Sequence, residues 1–267
     1  MTADEANQER LTILLRTAQK NFVRIRSFIR VMDIGLQYAG AEILPAMEDA
    51  MHGIVAENEW HPPKNAFEAA LNHAVSNRLK DAASAAEAAI LIFGHSVLDY
   101  VTAELCRIIA NVATELWDEA LGDRKLRLRD FKVCGSYSVA LQSVLSTHMA
   151  EVERMSLIER IRLITQKCFP GDPPLPLFES MWGGDFVLDL QRVIAIDQRR
   201  HDVIHRAEIR GKSEDFEDDL EYCELTLTYL VKIVSLRFGL LLGDGEYGPG
   251  VEKLKVKSSE TNEMPSA

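Results

Sequence analysis

A short basic segment in the second half of the chain carries residue types that suit chemistry on a phosphate. It contains Arg200, His201 and His205. The two histidines are four residues apart, so on a helix they lie on the same side. Arginine keeps its proton and offers several N–H donors to phosphate oxygens, whereas histidine exchanges protons near neutral pH. A fixed positive charge beside two histidines therefore suits proton transfer at a phosphodiester.

The periodicity around this segment predicts the helix that must hold it. Apolar residues recur at three- and four-residue steps, or multiples of them, on one helical face, namely Phe186, Leu190, Val193, Ile196 and Ile204. At about 100° per residue, Arg200 falls near the centre of that face, so we expect it to meet an acceptor, a partner chain or a ligand. Polar residues and Gly211 follow, which places the motif in the last turns. The partial negative charge of a helix C-terminus favours an imidazolium there.

The charge around the motif contrasts with the charge of the whole chain. The 267 residues include 41 acidic and 30 basic ones, for a formal net charge of −11. This balance excludes a generally basic nucleic-acid-binding protein, so any RNA contact must use a local patch. Between Arg192 and Lys212, six basic residues stand against three acidic ones. The simpler interpretation is that Arg200 and the two histidines are only solvated at a helix end. The local positive charge favours a functional patch instead.

Cysteine usage and hydropathy indicate the compartment. The four cysteines form no C-x-x-C pair, and we expect them to be buried small side chains in a reducing cytosol, at positions Cys106, Cys134, Cys168 and Cys223. The N-terminus lacks a basic-then-apolar signal sequence. The longest apolar runs, at 88–93 and 240–242, are too short to span a bilayer. We therefore predict a cytoplasmic protein with no membrane partner.

The N-terminal part is predicted to be a helical extension. Apolar residues between 4 and 38 alternate four- and three-residue steps, which predicts a long helix, and a second amphipathic piece covers 41–58. Basic residues on the other faces of the first helix either hold nucleic acid or face solvent, and the solvated interpretation is the favoured one. Trp60-His61-Pro62-Pro63 then breaks the helix, which predicts a boundary between an extension at 1–62 and a core domain at 63–242.

The first part of the core domain is rich in alanine and leucine. Residues 66–120 predict two helices with an irregularity near 78–83. The second helix has an apolar stripe and, beside it, a polar edge made of His95, Ser96, Asp99 and Thr102. A carboxylate on so apolar a helix needs a cation, and Arg200 is the candidate partner for Asp99. Alternatively, this edge faces water.

The remaining segments also predict helices. A helix is expected over 138–167, a loop at 169–176 and another helix from Ser213, with a disordered tail at 243–267. No stretch shows the alternation of a strand or an internal repeat. The sequence therefore predicts an all-α fold.

The motif resembles the signature of the HEPN-domain family. In that family an arginine is followed by a polar residue, three further residues and a histidine, and the segment 200–205 is similar to this pattern. Several groups place a second arginine before the motif, as Arg199 is here. The segment 91–100 is similar to the family's first core helix, which often carries an acidic residue at the position of Asp99. The resemblance covers roughly residues 85–240.

This resemblance implies a HEPN-like helical bundle and a metal-independent endoribonuclease, acting as a toxin or defence effector. Such domains usually form homodimers that bring two motifs into one cleft. The resemblance assigns proton transfer to His205, phosphate binding to Arg200, and substrate orientation or a second proton transfer to His201. A cognate antitoxin protein is a candidate partner, RNA is the expected substrate, and no metal or cofactor is expected.

Supporting roles follow from the same resemblance. Asp99 would fix Arg200, and Ser96 lies beside Asp99 on the predicted helix. Flanking phosphates would be contacted by three further arginines of the segment, which are Arg199, Arg206 and Arg210.

Two other functions fit parts of this pattern. His201 and His205 have the spacing of a helical metal-ligand pair, which His95 and Asp99 repeat, so a metal-dependent hydrolase is one alternative. The neighbouring arginines oppose a bound cation. The second alternative is a non-catalytic helical module that binds a protein or nucleic acid, or a helical bundle of another kind.

Overall fold

The computed structural model describes residues 3–57, 64–117, 137–171, 175–180, 185–206, 213–242 and 254–256. Helices dominate these residues, which confirms the predicted all-α character. The α-helices are α1 (Ala3–Glu57), α2 (Lys64–Val112), α3 (Tyr137–Val152), α4 (Leu157–Cys168), α5 (Leu190–Arg206) and α6 (Ser213–Phe238). A short 3₁₀ helix at Thr114–Trp117 follows α2.

Three short strands, which the sequence analysis did not expect, form a small antiparallel sheet. They are β1 (Phe178–Ser180), β2 (Asp185–Phe186) and β3 (Leu254–Val256), in the spatial order β2-β1-β3. Strands of two or three residues are too short to show the alternation by which a strand is recognised in sequence. The prediction of a disordered tail is wrong for β3, and the other residues from 243 onward lie outside the described residues.

The two N-terminal helices are longer than predicted. Helix α1 joins the two predicted helical pieces and continues through Pro45. Helix α2 has no irregularity at the expected place, since residues 64–93 contain neither glycine nor proline to interrupt it. The helices end and begin on either side of the predicted breaker, whose residues lie outside the described residues.

The predicted helix over 138–167 is in fact two helices. The break at Ser156 is a capping box, in which the Ser156 Oγ accepts from the Glu159 N–H (3.3 Å) and the Glu159 carboxylate accepts from the Ser156 N–H (2.8 Å). The residues Ser156-x-x-Glu159 ahead of an apolar run are the sequence signal that would have shown this second start.

The chain divides into two compact units. Unit 1 comprises Met1–Asn21, His95–Ile196 and Glu221–Ala267, and unit 2 comprises Phe22–Gly94 and Asp197–Leu220. The predicted domain boundary near residue 62 falls within unit 2, since helices on both sides of it contribute to that unit.

The core of unit 1 includes an aromatic cluster between the sheet and α6. Phe178 of β1 meets Tyr229 edge-on at 5.2 Å between ring centroids. Phe186 of β2 contacts both Tyr222 and Tyr229 at 5.6 Å. The stripe of α2 residues in this core is buried as predicted at Leu98, Val101, Leu105 and Ile108. The predicted apolar stripe of α6 is buried in both units, at Cys223, Leu227, Leu230 and Val234 in unit 1 and at Phe216 and Leu220 in unit 2.

Unit 2 packs the second part of α1 against α2 and the start of α6. Ile29 and Met32 of α1 face Ala86 and Ile90 of α2 across a narrow groove that Phe216 also lines. Further along, α2 and α6 approach very closely. A Cβ added at Gly94 would lie only 2.6 Å from Leu220 Cδ1, so glycine permits this contact.

Three of the four cysteines are buried free thiols, as predicted. These are Cys106, Cys168 and Cys223, while Cys134 lies outside the described residues. Burial raises the pKa of Cys106 to about 12, with nearby Arg160 opposing the shift, and burial likewise raises the pKa of Cys168 to about 12. Such thiols are protonated at neutral pH and are poor metal ligands or nucleophiles.

One stretch of the described residues, Asp81–Val112 in α2, is long and apolar enough to cross a membrane by length and composition. The uninterrupted apolar runs of the sequence are shorter than this, because polar residues interrupt a stretch whose mean hydropathy is nevertheless high. Of the most apolar window in this stretch, 56% is buried within the protein. Core helices of globular domains pass the same test, so this stretch is compatible with a soluble protein.

Candidate functional site

The motif helix α5 starts from a well-anchored residue in unit 1. The Asp189 carboxylate accepts from the Gln191 N–H (2.8 Å), which caps the helix N-terminus. The Asp189 N–H donates to the Tyr222 hydroxyl (2.7 Å), which in turn donates to the Asp189 carbonyl (3.0 Å). Burial raises the pKa of Tyr222, so this hydroxyl remains a donor. The start of α5 is thus tied to α6.

The predicted apolar face of α5 is only partly buried. Val193 and Ile196 are buried, whereas Ile204 in the last turn is 47% exposed. Phe186, which the periodicity placed on this helix, belongs to β2. Arg200 lies where the buried part of the face ends, and its side chain is 32% exposed. The motif therefore occupies an accessible helix end, as predicted.

Among the described residues, Arg200 has one ion pair and one buried donor without an acceptor. Its Nη2 lies 3.3 Å from Asp197 Oδ1, one turn earlier on the same helix. Its Nε is buried, and no described residue places a hydrogen-bond acceptor within reach of it. A buried N–H without an acceptor costs about 1–3 kcal/mol, so Arg200 has an unmet demand for an oxygen ligand. Asp197, three residues before Arg200, was missed by the sequence analysis, although its spacing indicates the pair.

Arg199 is held by a buried carboxylate. Its Nη2 donates to Asp219 Oδ1 at 2.7 Å, and Asp219 is almost fully buried in the first part of α6. This ion pair links the motif to α6 within unit 2. Arg199 was expected to contact a phosphate, and the pair with Asp219 instead gives it a positioning role. Sequence reasoning missed Asp219 because the acidic run it belongs to also suits a helix N-terminus.

The two histidines are in contact and accessible. The rings of His201 and His205 are 4.4 Å apart between centroids and inclined by 41°, and both side chains are exposed. Behind them, Gln198 Nε2 donates to Asp202 Oδ1 (3.0 Å), and Asp202 is buried. The i, i+4 spacing that predicted a histidine pair is confirmed as a direct ring contact.

Arg206 and Arg210 were also expected to contact RNA. Arg206 is the last residue of α5, and its side chain lies outside the described residues, as does Arg210. Their expected contacts with flanking phosphates stay predictions.

Asp99 does have a cationic partner, but the partner is Arg160. The Asp99 carboxylate accepts from Arg160 Nη2, and Arg160 Nε donates to Thr102 Oγ1 (3.2 Å), all within unit 1. The expected pairing of Asp99 with Arg200 is therefore wrong in its partner. Arg160 could not be selected from the sequence, because it is sixty-one residues from Asp99 and lies among apolar residues on the buried face of α4. On the same turn of α2 as Asp99, Ser96 is exposed and His95 is buried.

The alternative of a four-ligand metal centre finds no support in the described part of the chain. There, no three His, Cys, Asp or Glu side chains are grouped so as to hold a metal ion. A pair of histidines with an arginine beside it is a poor donor set for a cation.

The chain was compared with protein-family models, curated proteins and solved structures. No protein-family model, no curated protein and no solved structure matches it. The residues of the candidate site are therefore the basis for a proposed function.

Proposed function

We propose that this protein is an endoribonuclease of the HEPN type that cleaves RNA without a metal ion, at the C-terminal end of α5. One observation carries the proposal. The buried Nε of Arg200 has no acceptor among the described residues, and this arginine stands one turn from an exposed pair of contacting histidines. A phosphate oxygen would satisfy the guanidinium, and the histidines would move the protons.

The reaction needs two proton transfers and no redox step. His205 takes the proton from a ribose 2′-hydroxyl, and the freed oxygen attacks the adjacent phosphorus. The bond from phosphorus to the 5′-oxygen of the next nucleotide breaks, and His201 gives that oxygen a proton. The products are a 2′,3′-cyclic phosphate and a 5′-hydroxyl end. The mechanism therefore requires a neutral His205 to accept the first proton and a protonated His201 to supply the second.

Arg200 would stabilise the charge that develops on the phosphate. Its contact with Asp197 is 3.3 Å, which is long for a charge-assisted hydrogen bond. A phosphodiester has two free oxygens, which would accept from Nε and from Nη2 together. A fixed guanidinium also supplies the positive charge that a metal ion supplies in other nucleases.

Two buried carboxylates would hold this geometry. Asp219 fixes Arg199 at the start of the motif, and Asp202 is bonded to Gln198 beneath the histidines. Catalytic side chains require support of this kind, since a misplacement of about 1 Å can cost a hundredfold in rate. Arg199 and Asp202 are therefore positioning residues in this proposal.

The proposal includes a homodimer with a composite site. Ile204, between the histidines, is 47% exposed, and a second chain would cover it. A toxin or defence role, with an antitoxin protein as partner, belongs to the same proposal. Light scattering tests the dimer, and we expect Ile204→Asp to give a monomer with reduced cleavage. A monomeric wild-type chain at micromolar concentration would contradict the composite site.

The test of the activity is cleavage of a labelled single-stranded RNA in the presence of EDTA. We expect cleavage by the wild type, and at least about a hundredfold loss for Arg200→Ala and for His205→Ala. Matched controls are Arg154→Ala and His73→Ala, which remove an exposed arginine and an exposed histidine elsewhere on the chain. Circular dichroism checks that each variant is folded.

Two results would replace the proposal. If His205→Ala stays helical and keeps near wild-type cleavage, the histidine mechanism is wrong and the non-catalytic binding module is the better interpretation. If EDTA abolishes cleavage and zinc or manganese restores it, the site is a metal site.

A further inference from the structure

The part of α1 in unit 2 has a second apolar face that the fold does not use. Residues of one face, such as Ile29 and Met32, pack into the groove with α2. On the opposite side, the residues Val23, Ser27, Val31, Ile34 and Tyr38 fall within an arc of about 80°. Val31, Ile34 and Tyr38 are each 67% exposed, and Val23 is more than half exposed. We call this surface the outer face of α1.

The charge next to the outer face has one sign. Residues 22–32, in the part of α1 that belongs to unit 2, contain three basic residues and no acidic one, in a chain with a net charge of −11. Arg24 and Arg30 are exposed and flank the apolar arc, and Phe28 widens it. The next acidic residue, Asp33, lines the groove on the other side of the helix. The outer face is therefore both apolar and cationic.

We propose that the outer face of α1 lies in the headgroup region of an anionic phospholipid membrane. Branched and aromatic side chains would enter the acyl boundary while arginines bind lipid phosphates, as in helices that lie in the plane of a bilayer. The stretch from Val23 to Tyr38 is about 24 Å long. A helix of this length can lie in the plane of a bilayer with its apolar face toward the acyl chains.

Charge and shape argue against the other occupants of this face. A second copy of the chain would bring arginines against arginines, with no acidic residue on the outer face to pair with them. RNA would use Arg24 and Arg30, but it would leave Val31 and Ile34 in water, since a phosphate backbone offers them no apolar contact. An anionic lipid surface satisfies both the charges and the apolar side chains.

This proposal differs from the sequence-based expectation of no membrane partner. That expectation rested on the absence of an uninterrupted apolar run long enough to span a bilayer. A helix that lies in the interface needs only one apolar face, and its binding strength depends on apolar area and on attraction to anionic lipids. The proposal is also independent of the nuclease activity, because it uses different residues.

The experiment is sedimentation of the full chain with vesicles. One vesicle preparation contains phosphatidylcholine with 30 mol% phosphatidylserine (about one lipid in three), and the other contains phosphatidylcholine alone. We expect binding to the anionic vesicles, and at least about a tenfold lower partition coefficient for V31D/I34D. The matched control V187D/L241D adds the same two charges at exposed apolar positions elsewhere and should bind like the wild type.

A second pair of variants tests the charge. R24Q/R30Q should lower binding to the anionic vesicles at least about tenfold, whereas R154Q/R162Q, which removes two exposed arginines elsewhere, should change it less than about threefold. The proposal is overturned if the wild type does not bind anionic vesicles, or if V31D/I34D binds as well as its control. It is equally overturned if V31D/I34D instead loses self-association, which would make the outer face a dimer interface, or loses RNA affinity at unchanged vesicle binding.

Discussion

Two arginines, one in each unit, differ in how completely their donors are satisfied. Arg160 in α4 is only 3% exposed, and its Nη1 donates to the carbonyls of Glu153 (3.1 Å) and Met155 (2.6 Å). Its other nitrogens bind Thr102 and Asp99. The side chain of Arg200 in α5 is 32% exposed, and its buried Nε has no acceptor among the described residues.

The difference distinguishes an arginine whose donors are all satisfied within the protein from an arginine that has a buried donor without an acceptor. Every nitrogen of Arg160 has an acceptor, so a ligand would have to displace contacts that hold the turn between α3 and α4. Arg200 would gain acceptors from a ligand without losing any for its Nε. Burial alone does not make this distinction, because both arginines have buried nitrogens. The number of satisfied donors does.

The largest expected effect concerns Arg160. We expect Arg160→Met to lower the free energy of unfolding by about 3 kcal/mol, because two backbone carbonyls, the Thr102 hydroxyl and the Asp99 carboxylate lose the donor that the buried guanidinium supplies. Arg200→Met should leave it unchanged or raise it by about 1 kcal/mol, because the buried Nε without an acceptor is removed. Urea denaturation followed by circular dichroism measures both. Arg162→Met, at an exposed position in the same helix, is the control.

Equal stability of the Arg160→Met and Arg200→Met variants would remove the distinction between the two arginines. It would mean that the carbonyls near Glu153 find water when the guanidinium is gone, and that Arg160 is not a structural centre.

The next effect is on RNA cleavage by the proposed nuclease. Arg200→Ala and His205→Ala should each reduce the rate about a hundredfold, or about 2.7 kcal/mol of activation free energy. The double variant should lose much less than the product of the two, because both groups act on one transition state. Single-turnover cleavage of the three variants measures this. Fully multiplicative losses would show that the two residues act in separate steps.

The helical part of the fold could be predicted from sequence because its signals are long. The stripe of α6 from Phe216 to Val234 runs through most of the helix, and every member is buried. Signals of only a few residues did not allow the short strands or the start of α4 to be predicted. Strand β2 has two residues, and the capping box at Ser156 consists of one serine and one glutamate within a sequence whose periodicity predicts one continuous helix. The division into two units depends on tertiary contacts that no local pattern contains.

The site was predictable only where its partners are close in sequence. The contact of His201 with His205 follows from i, i+4 spacing. The partner of Arg199 is Asp219, twenty residues away, and the partner of Asp99 is Arg160, sixty-one residues away. Many basic and acidic residues compete for such distant pairs, so charge alone could not select among them. For Asp99 the selection of Arg200 was wrong.

A smaller effect is expected at Gly94, where α2 approaches α6 in unit 2. Gly94→Ala should destabilise the protein by about 1–2 kcal/mol, because the added Cβ would lie 2.6 Å from Leu220 and this side chain is buried. Leu220 follows Asp219, the carboxylate that holds Arg199, so the shift should also lower RNA cleavage severalfold. Gly35→Ala is the control, since a Cβ there meets nothing. Unchanged stability of Gly94→Ala would show that Leu220 can move aside without cost. The packing of Leu220 against α2 would then not affect the candidate site.

The smallest effect concerns the capping box that begins α4, the helix that presents Arg160. Hydrogen bonds from the Ser156 backbone, and then from its hydroxyl, lower the pKa of the Glu159 carboxyl below its usual range. A lowered pKa in the folded state means that ionised Glu159 stabilises the fold. This contribution is fully present above the carboxyl's unfolded pKa of about 4.3 and is lost as the pH falls through the lower folded pKa.

We therefore expect Glu159→Gln to be less stable than the wild type at pH 7, and the difference to shrink below about pH 4, because the wild-type carboxyl then becomes neutral as well. Urea denaturation from pH 7 to pH 3 measures this, with the exposed Glu9→Gln as control. A difference that stays constant across this range would mean that the ionisation of Glu159 does not contribute to the cap. The capping box would then act through the shape and hydrogen bonding of its side chains alone, and the placement of Arg160 would owe nothing to the charge.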